Sequence, residues 1–119
     1  MSASSEERRV EATLMGLASR LEKAASVVPG AIVFRLTGPQ GGDFRIEHDQ
    51  RGTRLAAVDQ LGAEAPLIEV MGDAETVRAI LAGERDARTQ FLEGGLRVRG
   101  DLRYLSNLAT ELGLLEAPL

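Results

Sequence analysis

The chain has 119 residues, a formal net charge of -4 at pH 7 and no Cys. That length suits one domain, which buries roughly two-thirds of the surface its unfolded form exposes. Disulfides and thiolate metal sites are excluded, and the acidic balance argues against nucleic acid, which usually meets a basic face.

Residues 1–5 are expected as a disordered tail and 6–119 as a single domain. From Glu6 to about Ala25 the period is helical, with Val10, Leu14, Leu17, Leu21 and Ala25 at three- and four-residue steps. Ser4 or Ser5 is the candidate cap, and Glu6 and Glu7 suit the positive helix end. Pro29-Gly30 then breaks the chain. AIVFRLTG is rich in β-formers, GPQGG is a turn cluster, and DFRIEHD alternates. That alternation sets Phe44, Ile46 and His48 against Arg45, Glu47 and Asp49. A second turn, Gln50-Arg51-Gly52, leads to a weaker third strand in TRLAAVDQ, so the three strands read as an antiparallel meander. LGAEAP reads as a loop and PLIEVMG as a fourth strand.

The period then changes to helical. Asp73 caps a helix whose apolar stripe is Val77, Ile80 and Leu81, ending at Gly83. Asp86 caps a short helix that sets Ala87 and Phe91 four apart before Gly94-Gly95. LRVR is a fifth strand, and Asp101 caps a last helix with Leu102, Leu105, Leu108 and Leu112 on one stripe and Gly113 at its end. The class is α+β, a five-stranded, mostly antiparallel sheet covered on one face by helices. One sheet face should carry Phe34, Leu36, Phe44, Ile46, Leu55, Ile68, Val70, Leu96 and Val98. The other should be wet, carrying Arg35, Arg45, Glu47, Arg54, Glu69, Arg97 and Arg99.

Candidates for chemistry are few. His48 is the sole His, at a strand end with no Ser or Asp arrangement of a recognised kind, and reads as structural or solvated. Asp43, Glu47 and Asp49 share the charged face of one strand rather than forming a metal site. The Gly38-to-Gly42 turn links two strands and fits neither phosphate-loop pattern. Arg97, Arg99 and Arg103 could meet anionic head groups or acyl-coenzyme A phosphates, although a charged outer face neutralised by nearby acids is the preferred reading.

AILAGERDARTQFLEGGLRVRGDLRYLSNL resembles the C-terminal half of the sterol carrier protein type 2 domain. The matching positions are Gly83, Phe91-Leu92, Gly94, Leu96 with Val98, Gly100-Asp101 and the apolar helix from Leu102 to Leu112. Upstream, VFRLTGPQGGDFRIEHDQRGTRL resembles the strand–turn–strand hairpin of that family, so the likeness runs from about Ala31 to Leu115. It departs at Gly95, where the family usually has Lys, and this argues against a head-group contact from that position.

The resemblance implies an apolar cavity between sheet and helices. It also implies non-catalytic binding or transfer of a lipid-like ligand: a fatty acid, fatty acyl-CoA, sterol-like lipid or phospholipid. The alternative is an accessory or dimerising module that presents a lipid or isoprenoid quinone intermediate to a separate enzyme. The expected lining is Phe34, Leu36, Phe44, Ile46, Leu55, Ile68, Val70, Val77, Leu81, Phe91, Leu96, Val98, Leu102, Leu105, Leu108 and Leu112. The last helix is expected as a flap, with Leu105, Leu108, Ala109 and Leu112 turned inward. A buried acyl chain contributes ~0.8 kcal/mol per methylene, yet the same positions could form a close-packed core. No catalysis, cofactor, metal or nucleic-acid partner is expected. The expected partners are a lipid-like small molecule, an enzyme of lipid or quinone metabolism, and a second copy of the chain. MSASSEERRVEA has no signal-peptide core, and no segment nears the ~18 apolar residues of a membrane span, so a cytoplasmic location is expected.

Overall fold

A computed structural model describes residues 2–39, 41–57 and 65–115, and for residues 2–9, 56 and 57 it describes the backbone alone. The chain begins with helix α1 (Ser2–Glu22), followed by strands β1 (Gly30–Thr37), β2 (Gly42–Asp49), β3 (Gly52–Ala57) and β4 (Ile68–Asp73). Helices α2 (Ala74–Leu81) and α3 (Ala87–Glu93), strand β5 (Leu96–Gly100) and helix α4 (Leu102–Glu111) complete it. The α+β order read from the sequence therefore holds. Two boundaries differ: α1 reaches back to Ser2, ahead of the expected cap, and stops before Ala25, which is exposed. Val58 to Gln60 of the expected third strand, Leu61 to Glu64 of the loop and Gln40 of the first turn lie outside the described residues.

The strands form one sheet in the order β3-β2-β1-β4-β5. The meander β1-β2-β3 is antiparallel, as expected, and β5 lies antiparallel to β4. The central pair is the exception: β4 runs parallel to β1, with Phe34 beside Val70. Local alternation cannot reveal this pairing, because it depends on where the chain returns after β3 rather than on any turn between neighbours.

Register explains the two faces. Phe34 pairs with both Phe44 and Val70, Ile46 with Leu55, and Val70 with Val98, so these residues share one side. Ile32, left out of the predicted set, joins them. The side chains of Val10, Leu14, Leu17 and Leu21, one stripe of α1, are buried in the same core cluster as Ile32, Phe34, Ile46 and Ile68. Removing four aliphatic side chains from water contributes roughly 1.5–3 kcal/mol each, far more than helix propensity does.

The second face is only partly wet. Ion pairs cross it, from Arg35 to Asp43 (3.1 Å) and to Glu69 (2.6 Å), and from Arg99 to Glu69 (3.8 Å). Yet Ala31, Val33 and Arg45 on this side are buried, against expectation. Val33 stands on the central strand between Arg45 and Glu69, where long charged side chains can lay their aliphatic stems over it.

Each of the last three helices begins on an Asp, as its spacing predicts. Asp73 accepts from the N–H groups of Glu75 and Thr76, Asp86 from Thr89, and Asp101 from Tyr104. Each bond satisfies one of the otherwise unpaired donors of a helix start. Gly94 then closes α3 at φ 84°, a left-handed conformation that a residue with a Cβ adopts only at a cost.

Candidate ligand-binding site

Between the inner sheet face and the helices lies a chamber of about 100 Å³. Every lining residue is Leu, Ile, Val, Ala or Phe, and no polar atom faces the space. The sheet supplies Ile32, Phe34, Val70, Leu96 and Val98; α1 supplies Leu17 and Leu21; α2 supplies Val77, Ile80 and Leu81. The short helix α3 adds Ala87 and Phe91, while α4 adds Leu105, Leu108, Ala109 and Leu112, with Leu114 and Leu115 just beyond it.

Ten of the residues expected from the sequence line this chamber: Phe34, Val70, Val77, Leu81, Phe91, Leu96, Val98, Leu105, Leu108 and Leu112. Five others are spent on solid packing. Leu36, Ile46 and Ile68 are buried in the core cluster, and Phe44 and Leu55 are half-buried against it. Leu102 is 47% exposed, because it opens the first turn of α4 before the stripe meets the sheet. Sequence reasoning missed Leu17, Leu21, Ile32, Ile80, Ala87, Leu114 and Leu115 as lining. The helical period marks most of them as inward, but periodicity does not separate an inward side chain that meets a neighbour from one that meets a void.

The walls differ in how firmly they are held. Helix α4 is fastened to the segment that joins α1 to β1. The Glu111 carboxylate accepts from the N–H groups of Ala25 (2.7 Å) and Ser26 (2.8 Å), and the Tyr104 hydroxyl accepts from the Val28 N–H (3.1 Å). Arg20 donates to the Leu112 carbonyl. The bonds from Ser26 and Ala25 hold the Glu111 carboxyl below its ordinary value, and burial raises the Tyr104 phenol. Helix α3, by contrast, has no buried residue, and its Leu92 is 75% exposed. Three side chains thus tie the expected flap down, and the neighbouring helix is the weaker wall.

The polar residues singled out in the sequence lie away from the chamber. His48 sits beside Thr53, Nδ1 to Oγ1 2.7 Å, in a structural contact. Asp49 forms a two-bond pair with Arg54, which holds its carboxyl well below the usual range, so this acid belongs to a charged surface. Arg97 and Arg99 occur on the outer sheet face, opposite Met71 and Glu69. Among the described residues no group of three or more His, Cys, Asp and Glu could hold a metal ion, and no helix is long and apolar enough to cross a membrane.

Neither a family model nor a curated protein matches the sequence. Solved structures do match the fold. Palmitated sterol carrier protein 2-like 2 of Aedes aegypti is similar at a TM-score of 0.64 and 16% identity, over 86% of this chain and 92% of that one. Sterol carrier protein domain 2 of Helicoverpa armigera gives 0.62 and 19%, over 84% and 87%. The ubiquinone synthesis protein UbiJ-SCP2 gives 0.61 and 15%, over 84% and 92%. At these identities the likeness is one of architecture, and this chain has the sterol carrier protein 2 fold.

Proposed function

We propose that the chain is a non-catalytic carrier that binds the apolar part of a lipid-like molecule between its sheet and its helices. The carrying observation is the chamber itself, whose lining has no polar atom. Such a space cannot orient a reacting group or shuttle a proton, since both need a positioned donor or acceptor. It can take hydrocarbon from water, at ~0.8 kcal/mol per methylene. The palmitated relative of the same fold supports this reading.

Size adds a requirement. A dry apolar cavity of about 150 Å³ holds one benzene in another protein, and the chamber here is about 100 Å³. It therefore receives the end of a chain as it stands, and a longer tail enters by displacing a wall. Helix α3 is the wall with least to lose.

A second reading has the carrier present an isoprenoid quinone intermediate, or a lipid, to a separate enzyme, and likeness to the ubiquinone synthesis protein favours it. Homodimerisation through the same apolar surface belongs to this reading, and a cytoplasmic setting belongs to both. Native mass spectrometry of freshly purified protein tests the binding claim. A co-purified fatty acid, sterol-like lipid, phospholipid or prenylated quinone is the expected result, and the last would select the second reading. Protein that arrives empty, and stays empty after incubation with each class, would refute carriage.

A further inference from the structure

The lining of the apolar chamber divides by burial. On α1, β1, β4 and α2, Leu17, Leu21, Phe34, Val70 and Val77 are buried, so this end is blind. Half-buried lining residues occur at the end of α2, on α3, on β5, and on and just beyond α4. A side chain that borders both the chamber and the surrounding water makes a wall one residue thick. Three of these four elements are fixed. The end of α2 carries the buried Arg78, which pairs with Glu75 at 2.7 Å and Glu84 at 2.9 Å. Strand β5 is paired with β4 along its length, and α4 is held by Glu111, Tyr104 and Arg20. Helix α3 has no buried residue and no place in the sheet. Of its two lining side chains Ala87 is a single methyl, so the half-buried Phe91 is the one that closes the wall.

Helix α3 hangs between two held points. Before it, Glu84 and Arg85 donate their N–H groups to the Ala79 carbonyl, and the Arg85 guanidinium donates to the Thr76 hydroxyl at 3.0 Å. After it, the Gly95 N–H returns to the Gln90 carbonyl at 2.9 Å, and Leu96 is paired opposite Gly72. A short helix held at both ends can bow outward but does not come away whole. A small outward shift frees the Phe91 ring and opens a gap one side chain wide.

A single hydrocarbon chain passes such a gap one methylene after another, changing rotamer as it goes. A fused-ring nucleus is rigid and passes whole or not at all. The room inside opposes it as well. The chamber is about 100 Å³, whereas a dry cavity of about 150 Å³ in another protein holds one benzene ring. We infer that Phe91 is the gate residue of the chamber and selects lipids with a single flexible hydrocarbon chain over lipids built on fused rings. The inference rests on the carrier reading and narrows its cargo.

Hexadecanol and cholesterol test it, because each bears one neutral hydroxyl and they differ in the apolar body. The linear fluorescent fatty acid cis-parinaric acid is the probe, bound to the full chain, and each lipid is titrated against it. Hexadecanol should compete about tenfold better or more. Phe91→Ala should shrink that ratio by about threefold or more, through stronger cholesterol binding, and should speed release of the probe to phosphatidylcholine vesicles in stopped flow. Phe91→Leu should act in the same direction and serves where the Ala variant does not fold. Leu92→Ala, on the same helix but at a side chain 75% exposed, should leave both the ratio and the release rate at the parent values. Far-UV circular dichroism confirms that each variant is folded. Cholesterol competing as well as hexadecanol in the wild-type chain, or a ratio unmoved in the folded Phe91 variants, overturns the gate and leaves carriage standing. A Leu92→Ala effect equal to that of Phe91→Ala overturns the gate too, because loosening α3 alone would then suffice. Failure of the probe itself to bind overturns both.

Discussion

Two leucines with nearly equal burial give a direct test of whether the chamber is a void. Leu14 of α1 is 1% exposed and sits in solid core, whereas Leu108 of α4 is 3% exposed and borders the chamber. Both are helical, so Leu→Ala changes helix propensity equally in the two. Each substitution removes the same carbons, a transfer loss of about 2.4 kcal/mol at ~0.8 kcal/mol per group. At Leu14 a new hole of roughly 60–80 Å³ opens among close neighbours, which adds about 1.4–1.9 kcal/mol at ~24 cal/mol per Å³. At Leu108 one side already lacks neighbours, so that second cost largely vanishes. The expected losses are therefore about 4 kcal/mol for Leu14→Ala and about 2.5 kcal/mol for Leu108→Ala. At about 4 °C per kcal/mol for a chain of this size, the midpoints should fall by roughly 16 and 10 °C. Thermal unfolding of delipidated protein by far-UV circular dichroism, with urea titration as a check, measures both. A Leu108→Ala cost equal to or above that of Leu14→Ala would mean that Leu108 faces packed atoms, and the chamber would not exist in solution.

The Glu111 latch makes stability depend on acid. Bonds from Ser26 and Ala25 hold its carboxyl below the ordinary 4.5, so its contribution is complete above that value and is lost as pH falls through the folded one. Glu111→Gln should flatten the acid limb of the midpoint-against-pH curve, read through the emission of Tyr104, the sole Tyr in a chain without Trp; an unaltered limb counts against the latch. Gly100→Ala should abolish soluble folded protein, because φ is 105° there and a Cβ would collide with the Leu67 carbonyl oxygen. A variant that purifies with a midpoint within about 5 °C of the parent would show that this edge yields more easily than its geometry implies.

Local chemistry was largely legible. Asp73, Asp86 and Asp101 each stand immediately before the first residue of a helix, and each caps it, since capping needs only a short acidic side chain and an unpaired N–H group in the first turn. The inner sheet face was legible for the same reason, period two along each strand. What escaped was non-local. The parallel β1–β4 pair is fixed by the whole path of the chain, and the burial of Val33 on β1 and Arg45 on β2 follows from the interior places of those two strands in the sheet. The chamber escaped in part because it is a deficit of atoms. Phe34 and Ile46 belong to one face and one alternation, yet only Phe34 borders the space, a difference set by what stands opposite rather than by the residues themselves.

The fastening of α4 through Tyr104, Glu111 and Arg20 decides what a filled carrier looks like from outside. With that side bolted, a chain entering under the proposed carriage would have to lift α3, and the ring of Phe91 would then leave its seat beside the already bare Leu92. Cargo would thus announce itself as a greasy knuckle of Phe91 and Leu92 on the outside of the wall. An acceptor membrane or enzyme could tell a loaded molecule from an empty one by touch, without ever meeting the hydrocarbon inside.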